Sequence, residues 1–536
     1  MLKKLWLSAS LGTLAMLSPT AFAAESLFVK SPSLDARLNA QSQMQAQRLA
    51  NEFHHARVDA DWRLNKQGWN QPAFDVTLPD GQRITLQRQH AYRNHAGTDV
   101  LVAKPGNGLL NLRSAATPAA DSIFVNRDGQ ITGSIRYQGK LYSVRPTGHG
   151  QHAIIEVDES RMPADHPEHD YAALFDQAIQ YQVPASTTAD LSASANTVIK
   201  LLVNYTQGAK NAVADIDGLI DLAVAETNQG YVNSGINITV EVAHRAQTSY
   251  SESSNISTDR DRYAATNDGY MDEIHTQRDQ YGADVGVLIL NNSAACGVAK
   301  AIGATAATAF AVVHHSCATG YYSFAHEIGH LQGARHDPAT DPSTTPYAYG
   351  HGYRAPNNAW RTVMAYNCSP SCTRINYWST PNRTYGDGQV MGTSSQSDNA
   401  RVLNQTAATI AGFRGDTTPP PPGDTFTNDG NYNIPDNNST GIQSPIAATG
   451  SGTAGTVKVD VRIIHTYIGD LIVDLIAPDG SVYNLHNRSG GGADNLIQSY
   501  NVNASSENRA GTWNLRVRDR ARVDTGYIDS WSITFN

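Results

Sequence analysis

The stretch HEIGHLQGARHD, His326 to Asp337, decides how this chain is read. It sets His326, Glu327, His330 and His336 within eleven residues. On a helix, residues four apart share a face, one turn above the other. His326 and His330 therefore project side by side, close enough to share one metal ion. Glu327 is rotated about 100° from His326, too far round to be an equal ligand but well placed to hold a water on the same ion. Gly333 is where the helix can stop, because glycine accepts the left-handed conformation that ends helices. The chain then turns back and makes His336 available as a third ligand. Three nitrogens plus a water form the open site of a catalytic zinc, not the closed site of a structural one.

A second motif lies downstream. RTVMAYN, Arg361 to Asn367, carries Met364 and Tyr366. Together the two motifs resemble the metzincin zinc endopeptidases, whose HExxHxxGxxH signature is followed by a methionine turn. By that resemblance, His326, His330 and His336 hold one Zn²⁺, Glu327 is the general base, and Met364 is an apolar floor beneath the histidines. Tyr366 matches the tyrosine of astacins and serralysins, which stabilises the oxyanion; its other reading is an aromatic of the cleft wall. Asp337, after the third histidine, is typical of adamalysins. This mixture resembles the bacterial peptidyl-Asp metalloendopeptidases, which implies hydrolysis of proteins or peptides before aspartate. The segment Cys368 to Gly388 walls the pocket for that residue in such enzymes. Here it holds Arg374 and Arg383 and no acid before Asp387. A guanidinium on the pocket floor would pair with a carboxylate and leave an aliphatic side chain unrewarded. The rival reading is a dead protease scaffold serving as a secreted binding or adhesion protein. The intact Glu327 argues against it.

Composition sets the compartment. The chain has 536 residues, a net charge of −9 and a pI near 6.0. That balance gives no sign of nucleic-acid or anionic-membrane partners. At the N-terminus, Lys3 and Lys4 precede an apolar run and Ala21-Phe22-Ala23, the layout of a secretory signal peptide over residues 1–23. No later segment reads as a membrane span, so the expectation is a soluble, monomeric protein secreted to the extracellular space. The four cysteines, Cys296, Cys317, Cys368 and Cys372, surround the zinc motif. In an oxidising compartment they suggest two disulfides. Three connectivities are open, and Cys296–Cys317 with Cys368–Cys372 is favoured.

The expected organisation is a multidomain chain. Residues 24–195 read as a β-rich propeptide, with alternating strands between Ser122 and Glu159. It contains no cysteine, which excludes a thiol switch on the zinc. ADHPEHD, Ala164 to Asp170, could offer a carboxylate or imidazole instead, but reads more simply as a polar loop. Pro184 to Thr197 is low in bulk and suits a cleavage region. Residues 196–415 form the α+β catalytic domain, a twisted mixed sheet above the active-site helix. Asp284 to Leu290 is its central strand, and the strand near Ala311 to Val313 is the expected edge for substrate. Residues 416–424 are a proline-rich linker. Residues 425–536 resemble the P/Homo B domain of proprotein convertases, implying an all-β, jelly-roll-like sandwich. There Asp470, Asp519 and Asp524 match acidic positions that could bind Ca²⁺, or serve as loop caps.

Overall fold

The computed structural model describes residues 24–30, 36–52, 57–106, 122–167, 196–414, 425–428 and 430–535. The signal-like stretch, the suggested cleavage region up to residue 195 and the proline linker lie outside the described residues. The chain forms two units, Met1–Gly415 and Asp416–Asn536.

The first unit opens with a ten-stranded sheet. Its strands from Ala73–Thr77 to Gln151–Val157 follow one another as an antiparallel meander. Alternation puts Phe74, Leu86, Leu101, Phe124, Ile135 and Val144 into one core. Val100, Val102, Ile123 and Val125 point the other way and pack on Leu222 and Ala225 of the long helix Ile216–Ser234. That contact explains why the helix is apolar on so much of its circumference. One side meets the N-terminal sheet, and the other meets the central sheet that follows.

Polar groups lock this contact. Thr98 Oγ1 donates to Asp221 Oδ2 at 2.6 Å, and Arg145 Nη2 donates to Thr319 Oγ1 at 2.6 Å. Glu226, on the long helix, accepts from Ser134 of the N-terminal sheet and from the Gly320 amide. Burial pushes the Glu226 carboxyl up to about 7, against the pull of Ser134, Gly320, Arg145 and Arg136. In this state the folded chain keeps a proton that the unfolded chain has released. Stability is therefore full below the ordinary glutamate range and is lost as pH rises towards 7. A rise of this size is worth on the order of 3 kcal/mol. Glu226→Gln is expected to raise the melting temperature at pH 8 and to match the parent more closely at pH 5. Melting curves that shift equally at both pH values would count against this.

The central sheet has the spatial order Ile238–Gln247, Thr197–Tyr205, Val285–Leu290, Phe310–His314, Gly297–Ala299. The first four are mutually parallel and the last is antiparallel. Val285–Leu290 is central and wholly buried, as its unbroken apolar run requires. The substrate edge expected at Ala311–Val313 is corrected here. That strand has a neighbour on each side, so the free edge belongs to Gly297–Ala299. Beneath the sheet lie the motif helix Ser323–Leu331 and the closing helix Asn399–Ala411.

The second unit is all β. A five-stranded and a four-stranded sheet share one core, to which Val459, Ile463 and Ile533 contribute from one and Leu475, Trp513 and Val517 from the other. No helix among the described residues is long and apolar enough to cross a membrane.

Candidate active site

The motif helix runs Ser323–Leu331 and is followed by Gly333 at φ 99°. That left-handed residue reverses the chain, as its place in the motif demands. His336 then returns to face the helix. The Nε2 atoms of His326, His330 and His336 lie 3.1 Å from one another. Three ligands of a tetrahedral zinc stand roughly 3.3 Å apart, so this triangle fits one ion. His326 Nδ1 donates to Val363 O at 2.9 Å and His330 Nδ1 to Ala334 O at 2.8 Å. At His330 this bond favours the tautomer that turns the Nε2 lone pair inward, whereas His326 Nδ1 also stands 2.6 Å from Arg374 Nη2. Burial, with neighbouring positive charge, holds all three imidazoles well below their usual range and therefore neutral, the form that binds metal.

Glu327 is buried beneath the edge strand. A Cβ on Gly297 would stand 2.7 Å from its Oε1, so only glycine lets the strand pass this close to the carboxylate. Met364 is fully buried and packs against Gly329, between the two helical histidines. Asp337 Oδ2 accepts from the Tyr366 amide at 3.0 Å and pairs with Arg354 at 3.0 Å, tying the third histidine to the methionine turn. Burial, then the negative charge of Asp165 and Glu327, raises the Tyr366 phenol, which keeps it a hydrogen-bond donor.

A fourth histidine enters from the N-terminal segment. His166 Nε2 lies 3.2 Å from Glu327 Oε1, and its Nδ1 lies 3.1 Å from the Tyr366 hydroxyl. His166, His326, His330 and His336 form a group whose ligand atoms all fall within 4.8 Å. Ala164 O accepts from Cys296 N at 2.8 Å and Asp165 O from Gly297 N at 3.2 Å, so the segment lies along the free edge. The polar-loop reading of ADHPEHD is thereby corrected for the described part, which ends at residue 167.

Asp165 is buried opposite two arginines. Arg374 Nη1 stands 3.0 Å from its Oδ1, and Arg361 Nη1 stands 3.5 Å from its Oδ2. Burial works against the charge of Asp165, but Arg374, Arg361 and His166 outweigh it and hold the carboxyl below its usual range. Arg374 is further fixed by Val363 O at 2.9 Å and Tyr321 O at 3.1 Å. The placement of Arg383 in this pocket is corrected. Its side chain is exposed and rests against Gly235, at the end of the long helix. It belongs to the strand Thr380–Thr384, whose later residues turn to solvent.

Sequence reasoning missed Arg361, which stood in the quoted RTVMAYN behind Met364 as the marker. Asp165 and His166 lay in ADHPEHD, whose carboxylate and imidazole were weighed as groups for the zinc but set below the polar-loop reading. Disulfides join Cys296 to Cys317 and Cys368 to Cys372. The first anchors the edge strand, and the second closes the loop before Arg374. Asp470, Asp519 and Asp524 do not form a metal-ligand group among the described residues. Asp519 faces His465 at 3.4 Å, Asp470 lies 3.9 Å from Arg488, and Asp524 accepts from Thr466 at 2.9 Å.

Residues 195–379 match the metallo-peptidase family M12, and residues 454–535 match the proprotein convertase P-domain. Over 348 residues the chain is 48% identical to the peptidyl-Asp metalloendopeptidase of Stenotrophomonas maltophilia, covering 63% of this chain and 78% of that protein. Over 341 residues it is 50% identical to the peptidyl-Asp metalloendopeptidase of Xanthomonas campestris, covering 62% and 80% respectively. A third peptidyl-Asp metalloendopeptidase, from Pseudomonas fragi, is 49% identical over 190 residues, 35% of this chain and 100% of that protein.

Proposed function

Because the chain belongs to the M12 metallopeptidases, among the peptidyl-Asp metalloendopeptidases, we propose that it is a secreted zinc endopeptidase that cuts on the amino side of aspartate and is made as a latent precursor. The observation that carries the specificity is the buried Arg374–Asp165 ion pair, beside the three histidines. The signal-like N-terminus supports export, and the second unit's two facing sheets suit a jelly-roll-like sandwich.

His326, His330 and His336 would hold the zinc, which when bound polarises a scissile carbonyl and lowers the pKa of a water. Glu327 takes that water's proton and delivers it to the leaving amine. Tyr366 donates its hydroxyl proton in a hydrogen bond to the developing oxyanion. The edge at Cys296 and Gly297 pairs with the substrate backbone, as an unpaired strand can. Arg374 receives the carboxylate of the residue after the cut bond.

Latency follows from chain direction. Cleavage before aspartate needs the preceding residue's carbonyl at the metal, so a substrate runs from metal to pocket. The N-terminal segment runs the other way, with Asp165 in the pocket before His166 reaches the histidines. The Ala164 carbonyl meanwhile accepts from Cys296 N. The segment fills the acid pocket, occupies Glu327 and Tyr366 with one imidazole, and gives its Ala164 and Asp165 carbonyls to the amides of Cys296 and Gly297. We therefore assign residues 24–195 as propeptide and 196–415 as catalytic domain.

The test is cleavage of matched peptides carrying Asp, Asn or Leu at one position by the processed enzyme, with and without chelator. Asp is expected to be preferred, with activity lost on chelation. Arg374→Gln should cut the Asp-over-Asn preference by ~10²-fold, as removing one member of a buried charge pair does. A parent enzyme without preference for Asp would sink the specificity reading.

A further inference from the structure

We infer that Arg361 is a second specificity-determining residue of this pocket, so that each oxygen of the incoming carboxylate meets its own guanidinium; this rests on the reading that the Arg374 pocket takes the side chain after the cut bond. Asp165 stands in for that side chain. Each of its two oxygens makes the shortest contact to a different arginine. Oδ1 goes to Arg374 and Oδ2 to Arg361. A carboxylate clamped from two directions is sensed by position as well as by charge.

The surroundings hold Arg361 ready for this role. It is 1% exposed, and its Nη2 donates to the Tyr321 hydroxyl at 3.0 Å. Its Nη1 also donates to Ala365 O, in the methionine turn. Both guanidiniums lie against the Tyr321 ring, with Arg361 5.4 Å and Arg374 4.9 Å from its centroid. Tyr321 thus spaces the two cations as a common wall. Arg361 Nε has no hydrogen-bond partner among the described residues.

Charge makes the argument stronger than contact alone. Among the described residues, Asp165 is the one carboxylate in an ion pair with either arginine. Two buried cations share one anion, so the pocket keeps a positive excess even when filled. Once the propeptide leaves, neither cation has a carboxylate beside it until substrate arrives. A neutral Asn, of the same shape as Asp, leaves both uncompensated. Discrimination between these isosteres then depends on both arginines, whereas a purely structural Arg361 would affect all substrates alike.

The experiment measures kcat and KM separately for matched Asp, Asn and Leu peptides, together with zinc content, in processed Arg361→Gln and Arg361→Lys enzymes. Arg361→Gln is expected to retain zinc and to lower the Asp-over-Asn ratio of kcat/KM about tenfold, with Asn and Leu peptides nearly unchanged. Arg361→Lys keeps a charge but not the fork, and its ratio should fall roughly threefold. A zinc-replete Arg361→Gln enzyme with the parental ratio overturns the inference. If that variant does not retain zinc, the ratio in Arg361→Lys decides, and an unchanged value overturns it equally. A parent indifferent to Asp would count against the proposed function. A selective parent whose preference falls in Arg374→Gln but not in the Arg361 variants would count against Arg361 alone.

Discussion

Glu327→Ala is expected to keep its zinc and lose peptide hydrolysis. The three metal-facing nitrogens belong to other residues and stay 3.1 Å apart, so the ion's cage is left in place. What disappears is the group that accepts the water's proton and returns it to the leaving amine. General acid–base catalysis is commonly worth ~10²–10⁴-fold, and turnover should fall by at least that range. The contrast is with His326→Ala, His330→Ala and His336→Ala, each of which should lower metal content as well as activity. Two measurements on each purified, processed variant settle the matter: zinc by elemental analysis, and kcat on one fluorogenic peptide. Substantial turnover by Glu327→Ala would remove this residue from the mechanism.

The second large effect concerns the precursor. His166 and Asp165 together occupy the base, the tyrosine and the acid pocket. Breaking a buried ion pair from one side costs ~3–5 kcal/mol, which corresponds to roughly 10²–10⁴-fold in occupancy of the cleft. The full-length Asp165→Ala/His166→Ala precursor should therefore show at least ~10²-fold more basal peptidase activity than the parent precursor. Either single change should give part of that gain. The metal environment supplies a readout independent of turnover. In cobalt-substituted precursor, His166→Ala should change the visible absorption bands, because an imidazole leaves the ion's surroundings. Thiol-blocking reagents and mercurials should leave the parent precursor latent, since no cysteine precedes Cys296. A double variant as silent as the parent would show that latency resides elsewhere in the N-terminal segment.

How much of this was legible beforehand depends on the range of the interaction. The histidine pair, the offset glutamate and the glycine stop are consequences of helix geometry over a few residues, and the sequence displays that geometry directly. The central strand Val285–Leu290 was equally plain, because a strand buried on both faces must be apolar throughout. The pocket was legible only as a composition. Arg374 and Arg383 looked alike in a list of residues, but one short strand buries the first and the exposed end of a later strand leaves the second in solvent.

By itself, then, the sequence displayed the three-histidine pattern with a glutamate beside it, and the layouts expected of an export signal and of a propeptide ahead of a catalytic domain. Only the tertiary structure decided which strand is the free edge, that Arg361 joins Arg374, and that Asp165 and His166 lie in the cleft. Glu327 and His166 are 161 residues apart along the chain. No local period links them. Their meeting requires the ten-stranded sheet to dock on the long helix, through apolar side chains and buried polar pairs distributed over both. Such contacts are set by the sum of many weak, distant interactions, whereas a helical turn is fixed by covalent geometry within four residues.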